Sequence, residues 1–352
     1  MNGRNPGSRT LPALTRRTLL KAGGAVFAST LAAPYVARAQ GNVLYINTWG
    51  GPWEEAAKKH IFAPFKAATG VEIRTVSPVS FAKLAQQVRT GTYEFDVTTL
   101  GAGELLRAEE AAIIEELTKA PYEGALFHNG VASHAFATVI GYRKDKFPNG
   151  GPRNWAEFWD VERFPGARSL QRYPARVLPL ALLADGVPVK ELYPLDIDRA
   201  FASLDKIKEH IRVWWTAGAQ STQILRDGEV DLIGIWHGRY YEAEDAGAPV
   251  GMTWNQGQIE RAYWVVAKGT PNVENAKKFV EFAVSAKPLA GFVTEADYGP
   301  LNPAANEFTS TDDAKRMPTS PENYAHTFEQ DIENFGGDIR EISQRFEEWV
   351  AG

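Results

Sequence analysis

The sequence predicts an α/β protein of two lobes, each a mostly parallel sheet flanked by helices. Three observations lead there. Strand-like and helix-like segments alternate between residues 42 and 103. A second set of apolar segments follows residue 135. The chain has 352 residues, enough for two lobes of about 150 residues each.

The first set opens with Asn42 to Asn47, a buried-strand pattern broken by Thr48-Trp49-Gly50-Gly51-Pro52. Trp53 to Thr69 carries Ala56, His60, Phe62 and Phe65 near one helical face. Pro64 is expected to kink that helix and Gly70 to end it. Val71 to Val76 is a second strand. Phe81 to Arg89 is a second helix, stopped by Gly91. Phe95 to Leu100 is a third strand, and Gly101-Ala102-Gly103 opens a third helix. Ligands of such sheets sit at the carboxyl ends of the strands. The loops at Trp49-Gly50-Gly51 and Gly101-Ala102-Gly103 occupy those ends, with backbone N–H groups at a helix start.

From Ala137 to Arg143 an extended, partly β-branched run reads as the first crossing into a second lobe. Asn154 caps a helix beginning at Trp155. Another helix lies within Leu195 to Ile211. Asp231 to Trp236 is a short apolar strand. Tyr263 to Ala267 is a buried strand and the return crossing. Glu274 to Val284 and Ile339 to Val350 are amphipathic helices. No internal repeat, low-complexity tract or flexible linker interrupts the chain.

The N-terminus has the order of an export signal. Arg16-Arg17 precede an apolar stretch from Ala22 to Ala33. Ala37-Arg38-Ala39 is a small-x-small site with cleavage expected before Gln40. Residues 1–39 therefore read as a twin-arginine signal peptide, with the twin-arginine translocase as export partner and the periplasm as destination. The apolar stretch is shorter than the ~20 residues of a membrane span, and no later stretch is longer, so stable membrane insertion is not expected. The absence of cysteine rules out disulfides and thiolate chemistry and suits an oxidising compartment. A net charge of −5 without any basic block argues against nucleic acid.

Catalytic signatures are missing. There is no G-x-S-x-G, H-E-x-x-H or phosphate loop, and the six histidines fall at no metal-motif spacing. No cofactor or metal is implied. An exported hydrolase stays a remote alternative because triads are scattered in sequence. Tyr240-Tyr241, near His237, Glu242 and Glu244, offers a second alternative, ferric iron held by phenolates. Against it, neighbours on a helix point in different directions. The tryptophans are more suggestive. Trp49 and Trp236 each end a strand beside glycine, where an aromatic wall would suit an amine, an alkyl chain or a flat ring. Arg172, Arg239 and Arg261 lie in or near expected loops of the second half, where an arginine can fork onto a carboxylate.

Three stretches carry a resemblance: Leu44 to Gly50 (LYINTWG), Trp264 to Asn272 (WVVAKGTPN) and Tyr298 to Ala304 (YGPLNPA). Together they resemble the polyamine (spermidine/putrescine) type of periplasmic solute-binding proteins of ABC importers, almost end to end. The resemblance implies a type II periplasmic-binding-protein fold. Its first lobe would comprise 40–139 and 264–305, its second 140–263 and 306–352, joined by crossing strands. A small-molecule ligand would be clamped between them and passed to the permease subunits. It also implies that Trp49 walls the ligand, that Trp236 faces it from the second lobe, and that Tyr298 returns toward the cleft; Gly50 and Gly101, in the strand-end loops, are ligand-binding candidates for their backbone N–H groups. The acids that would hold polyamine amines are missing. Ala262 or Tyr263 replaces one, with Glu260 and Arg261 just before, and no acid follows Pro165-Gly166. An amino-carboxylate is the expected alternative ligand.

Overall fold

The structure, a computed structural model, describes residues 42–352 and Gly3. The expected export signal lies outside the described residues. In chain order the main elements are β1 Val43–Asn47, α1 Gly51–Ala57, α2 Ala63–Thr69, β2 Glu72–Val76, α3 Phe81–Thr90, β3 Val97–Gly101 and α4 Ala102–Glu110. There follow β4 Leu126–Phe127, β5 Gly130–Arg143, α5 Trp155–Trp159, β6 Arg168–Gln171, α6 Pro174–Ala184, α7 Ile197–Asp205, β7 Ile211–Trp215, α8 Gly218–Arg226, β8 Leu232–Trp236 and α9 His237–Asp245. The last set is β9 Val250–Val266, α10 Val273–Ala283, α11 Ala286–Glu295, β10 Gly299–Pro300, α12 Thr311–Ala314, α13 Pro321–Tyr324, β11 Thr327–Glu329 and α14 Ile339–Ala351.

The strands order as β2-β1-β3-β9-β5-β8-β6-β7. Within each half the pairing is parallel: β1 with β2 and β3, β6 with β7 and β8. The two halves are joined by β5 and β9, which run antiparallel to one another from Val131↔Trp264 to Arg143↔Val250. One end of β9 pairs with β3 and the far end of β5 pairs with β8. These two long strands are the crossings of a two-lobed type II fold. Each is longer than expected: β5 begins at Gly130 instead of Ala137, and β9 at Val250 instead of Tyr263. The polar residues Gln256, Gln258 and Glu260 hid the earlier part of β9 from an apolar-run reading.

The cores fall on either side of the crossings. Leu44, Ile46, Trp53, Phe65, Trp264, Phe279, Phe292 and Met317 form one buried cluster, and Leu84, Phe95, Leu105 and Tyr263 a second beside it. Beyond the crossings, Trp155, Leu170, the residues of α6 and Phe346 of α14 form a third cluster, and Trp215, Ile233, Ile235 and Tyr240 a fourth. Helix α6 is buried over almost its whole surface, which is why its sequence shows no amphipathic period. Between α1 and α2, Lys58–Phe62 forms a π-helical turn ahead of Pro64. The expected interruption is thus absorbed by a widened turn. Among the described residues no helix is long and apolar enough to cross a membrane.

Each strand β1, β3, β6, β7 and β8 is followed within a few residues by a helix, at Gly51, Ala102, Pro174, Gly218 and His237. Parallel pairing within each lobe sends these five turns to one edge, facing the middle of the crossings. That edge is where an open α/β sheet places its ligand.

Candidate ligand-binding cleft

On the first lobe the turn after β1 is riveted from behind. Thr48 is buried and hydrogen-bonded to the Glu54 carboxylate, which also accepts from Thr75 Oγ1 at 2.9 Å and pairs with Lys58 Nζ at 2.7 Å. Burial pushes the Glu54 carboxyl up, but these donors together hold it below the usual carboxylate range. Gly50 takes φ +71°, a left-handed angle that favours glycine. Trp49 is left 47 % exposed, its Nε1–H donating to Thr99 Oγ1 on β3 at 3.0 Å. The indole edge is therefore fixed while its face is open. At the start of α4 the Gly101 N–H donates to Glu104 Oε2 at 3.3 Å. A Cβ built on Gly103 would lie 3.2 Å from Ile332 and 3.9 Å from the Tyr173 hydroxyl, so the first turn of α4 stands directly against the second lobe.

The second lobe contributes Arg176, in the first turn of α6. Its Nε–H donates to Glu260 Oε1 at 2.6 Å, with side-chain exposures of 14 % and 6 %. The guanidinium lies 4.9 Å from the centre of the Tyr173 ring, 5.1 Å from Trp236 and 5.5 Å from Phe136. Three aromatic faces and one carboxylate thus surround a cation. Burial pulls its pKa down, but Glu260 outweighs that and holds it above the usual value. Glu260 sits on β9 opposite Phe136 of β5, at the middle of the crossings. On neighbouring strands Trp236 Nε1, Gln171 Oε1 and Thr138 Oγ1 are buried polar atoms without a partner among the described residues, a state that costs free energy until something supplies the missing bond.

The expected site residues separate in the structure. Trp49, Gly50 and Gly101 line the first-lobe turns, and Trp236 and Glu260 join the Arg176 cage. Arg239 lies beside that cage. A Cβ on Gly218 would come within 2.5 Å of Arg239 Nε and 3.1 Å of Trp236 Cζ3, and Arg239 is paired with Glu242. Tyr298 packs tilted against His134, ring centres 4.5 Å apart, and stands 6.3 Å from His237. Two arginines stand apart. Arg172 is paired with Glu347 at 2.6 Å on an exposed surface. Arg261 points to the face opposite Glu260 because strand neighbours alternate, and pairs with Glu329. Tyr240 and Tyr241 do not converge on a shared point. The Tyr240 hydroxyl donates to Glu244 at 2.6 Å, while the Tyr241 ring lies 4.1 Å under the Arg316 guanidinium. Burial pushes both phenols up, away from the phenolate that iron needs. Among the described residues no group of three or more His, Asp or Glu side chains converges as a metal site.

Arg176 escaped the sequence reading because α6 itself did. The available signal was a lone arginine in the otherwise apolar run PARVLPLALLA, a charge that needs a partner if the run is buried.

The family of bacterial extracellular solute-binding proteins matches residues 60–322. The chain belongs to that family. This solute-binding protein is 32 % identical over 334 residues to the γ-aminobutyric acid-binding protein of Pseudomonas aeruginosa, covering 91 % of this chain and 94 % of the relative. It is 22 % identical over 322 residues to the spermidine/putrescine-binding periplasmic protein of Salmonella typhimurium, covering 84 % and 88 %. The polyamine resemblance is therefore a distant one within the family. Among solved structures, an ABC transporter substrate-binding protein from Bradyrhizobium japonicum superposes with a TM-score of 0.83 at 34 % identity, over 87 % of this chain and 99 % of that one. The binding protein MotA of A. tumefaciens in complex with glucopine superposes at 0.80 with 26 % identity, and AttC of Agrobacterium tumefaciens, open and unliganded, at 0.68 with 30 % identity. Both cover 88 % of this chain and 99 % of theirs. The relatives are binding components of importers, and the solute-binding protein shares that role: it binds a small molecule for delivery to permease subunits.

Proposed function

We propose that the chain is the periplasmic binding component of an ABC importer for a small amino-carboxylate, an ω-amino acid of the γ-aminobutyrate kind or an opine-like compound. Arg176 carries this reading. Among the described residues its Nε alone hydrogen-bonds to protein, which leaves the Nη1/Nη2 edge to fork onto a ligand carboxylate. A diamine brought to the same place would meet a buried cation. The ligand amine has two acceptors within the cleft, the second oxygen of Glu260 and the Glu104 carboxylate at the facing end of α4. The open face of Trp49 covers the intervening alkyl chain. The orphaned atoms of Trp236, Gln171 and Thr138 take the remaining polar contacts. The identity to a γ-aminobutyrate-binding relative supports the ligand class. The higher TM-score against a liganded relative than against an open one supports a closed arrangement of the lobes. Export through the twin-arginine route belongs to the same reading and rests on residues 15–39.

Isothermal titration with γ-aminobutyrate, putrescine and spermidine tests it. Binding of the amino acid, no binding of the diamine, and loss of binding in Arg176→Met/Glu260→Gln are expected. Tight putrescine binding that survives the double substitution overturns the ligand assignment.

A further inference from the structure

A second charged cluster, centred on Arg316, joins elements of the two lobes. Arg316 lies between α12 and α13, next to Met317, which is buried in the first-lobe core. Its Nη2 stands 2.7 Å from Asp245 Oδ2 and 2.8 Å from Asp297 Oδ2, its Nη1 3.1 Å from Asp245 Oδ1, and its Nε 2.7 Å from Asp297 Oδ1. The same guanidinium lies 4.1 Å over the Tyr241 ring. Asp245 and Tyr241 belong to α9 of the second lobe, whereas Asp297 follows α11 of the first. One planar cation therefore holds two carboxylates on different lobes and caps a second-lobe ring, a geometry only arginine's fork can satisfy.

The contact does more than join surfaces. Asp297 sits at φ +55°, one residue before Tyr298. Its carbonyl accepts from His237 Nε2–H at the start of α9, while His237 Nδ1 accepts the Ala137 N–H of β5 at 3.1 Å. Arg316 thus fixes the segment that sets Tyr298 between His134 and His237, and ties it to α9, which begins next to Trp236. We propose that Arg316 is a positioning residue for ligand capture: by bridging Asp297 and Asp245 it stabilises the closed lobes and holds Tyr298 at the cleft. The proposal rests on the binding-protein reading above, not on the choice of ligand. Insofar as the bridge is stronger with the lobes closed than open, it shifts the opening equilibrium toward closure and raises affinity.

The test uses Asp245→Asn, Arg316→Gln and Arg316→Lys in the full mature chain. The Asp245 side chain is 59 % exposed, so its loss leaves the fold little affected. Small-angle X-ray scattering reads the lobe opening without ligand, titration with γ-aminobutyrate reads affinity, and the melting temperature reads stability. For Asp245→Asn and Arg316→Gln we expect a wider ligand-free particle and dissociation constants raised about five- to tenfold, without a proportional fall in melting temperature; Arg316→Lys recovers part of the loss. Unchanged scattering and affinity in both variants, or affinity losses that track the melting temperature, overturn the proposal. If γ-aminobutyrate does not bind the wild type, the ligand assignment fails while the scattering comparison alone still decides this one.

Discussion

Arg176 and Glu260 form a 2.6 Å ion pair between the first turn of α6 and the middle of a crossing strand, both side chains largely withdrawn from water. Removing one partner of such a pair strands the other charge in a low-dielectric site. Arg176→Met is expected to lower the free energy of unfolding by about 3–5 kcal/mol. Arg176→Met/Glu260→Gln should return to within about 1–2 kcal/mol of wild type, because no lone charge is left. Urea unfolding of the three proteins measures this. A single variant as stable as the double one means the pair is solvated.

Trp49 presents the opposite case. Its indole N–H is anchored to Thr99 while the residue is 47 % exposed. On the proposed reading, truncation removes contact area that a ligand fills. Trp49→Ala should leave the unfolding free energy within about 1 kcal/mol and weaken ligand binding at least tenfold. Equal losses in both would show that the ring supports the lobe instead.

Much of this was legible in the sequence. The first lobe could be read element by element because its strands and helices are short, half-buried and punctuated by glycine: Gly70 and Gly91 both cap helices in the left-handed conformation. Trp49 and Trp236 could be singled out as candidates because a strand end beside glycine is a local feature. The second lobe hid more. Helix α6 has no polar face to give a period, and β6 is four residues ending at Gln171. Arg172 and Arg261 were visible as loop-edge arginines, yet what separates them from Arg176 is long-range. Glu347 and Glu329 neutralise the first two at the surface, whereas Arg176 meets a crossing strand 84 residues away in sequence. No local pattern reports such a pairing.

Stability should fall on mild acidification. Burial lowers His134 to about 3 and His237 to about 4. Below their ordinary value of 6.5 the unfolded chain takes up two protons that the native state refuses, which favours unfolding. Asp297 acts the other way, binding a proton in the native state near pH 6 and in the unfolded state near 3.8. Near pH 5 the unfolded chain therefore holds about one proton more, and the unfolding free energy should drop by about 1.4 kcal/mol per pH unit. Urea midpoints at pH 7, 6 and 5 read the slope directly. A flat profile means the two imidazoles are not buried neutral.

Asp297 itself can be isolated from that balance. Burial raises its carboxyl to about 6, even though Arg316 attracts the charged form. The net environment therefore disfavours the carboxylate. A raised acid costs stability above its native value, and the cost vanishes below the unfolded one. Asp297→Asn keeps the shape, tolerates the positive φ as aspartate does, and mimics the protonated form. It should raise the unfolding free energy by about 1–3 kcal/mol at pH 7.5, with the advantage shrinking through pH 6 and gone near pH 4. The substitution also takes one carboxylate from Arg316, leaving Asp245 as its ionic partner. Stability and ligand affinity should accordingly move in opposite directions: a firmer fold at neutral pH with weaker closure. Paired urea and titration measurements at pH 7.5 separate the two, and a variant that gains or loses both together contradicts the assignment of Asp297 as a charged, buried link in the clamp.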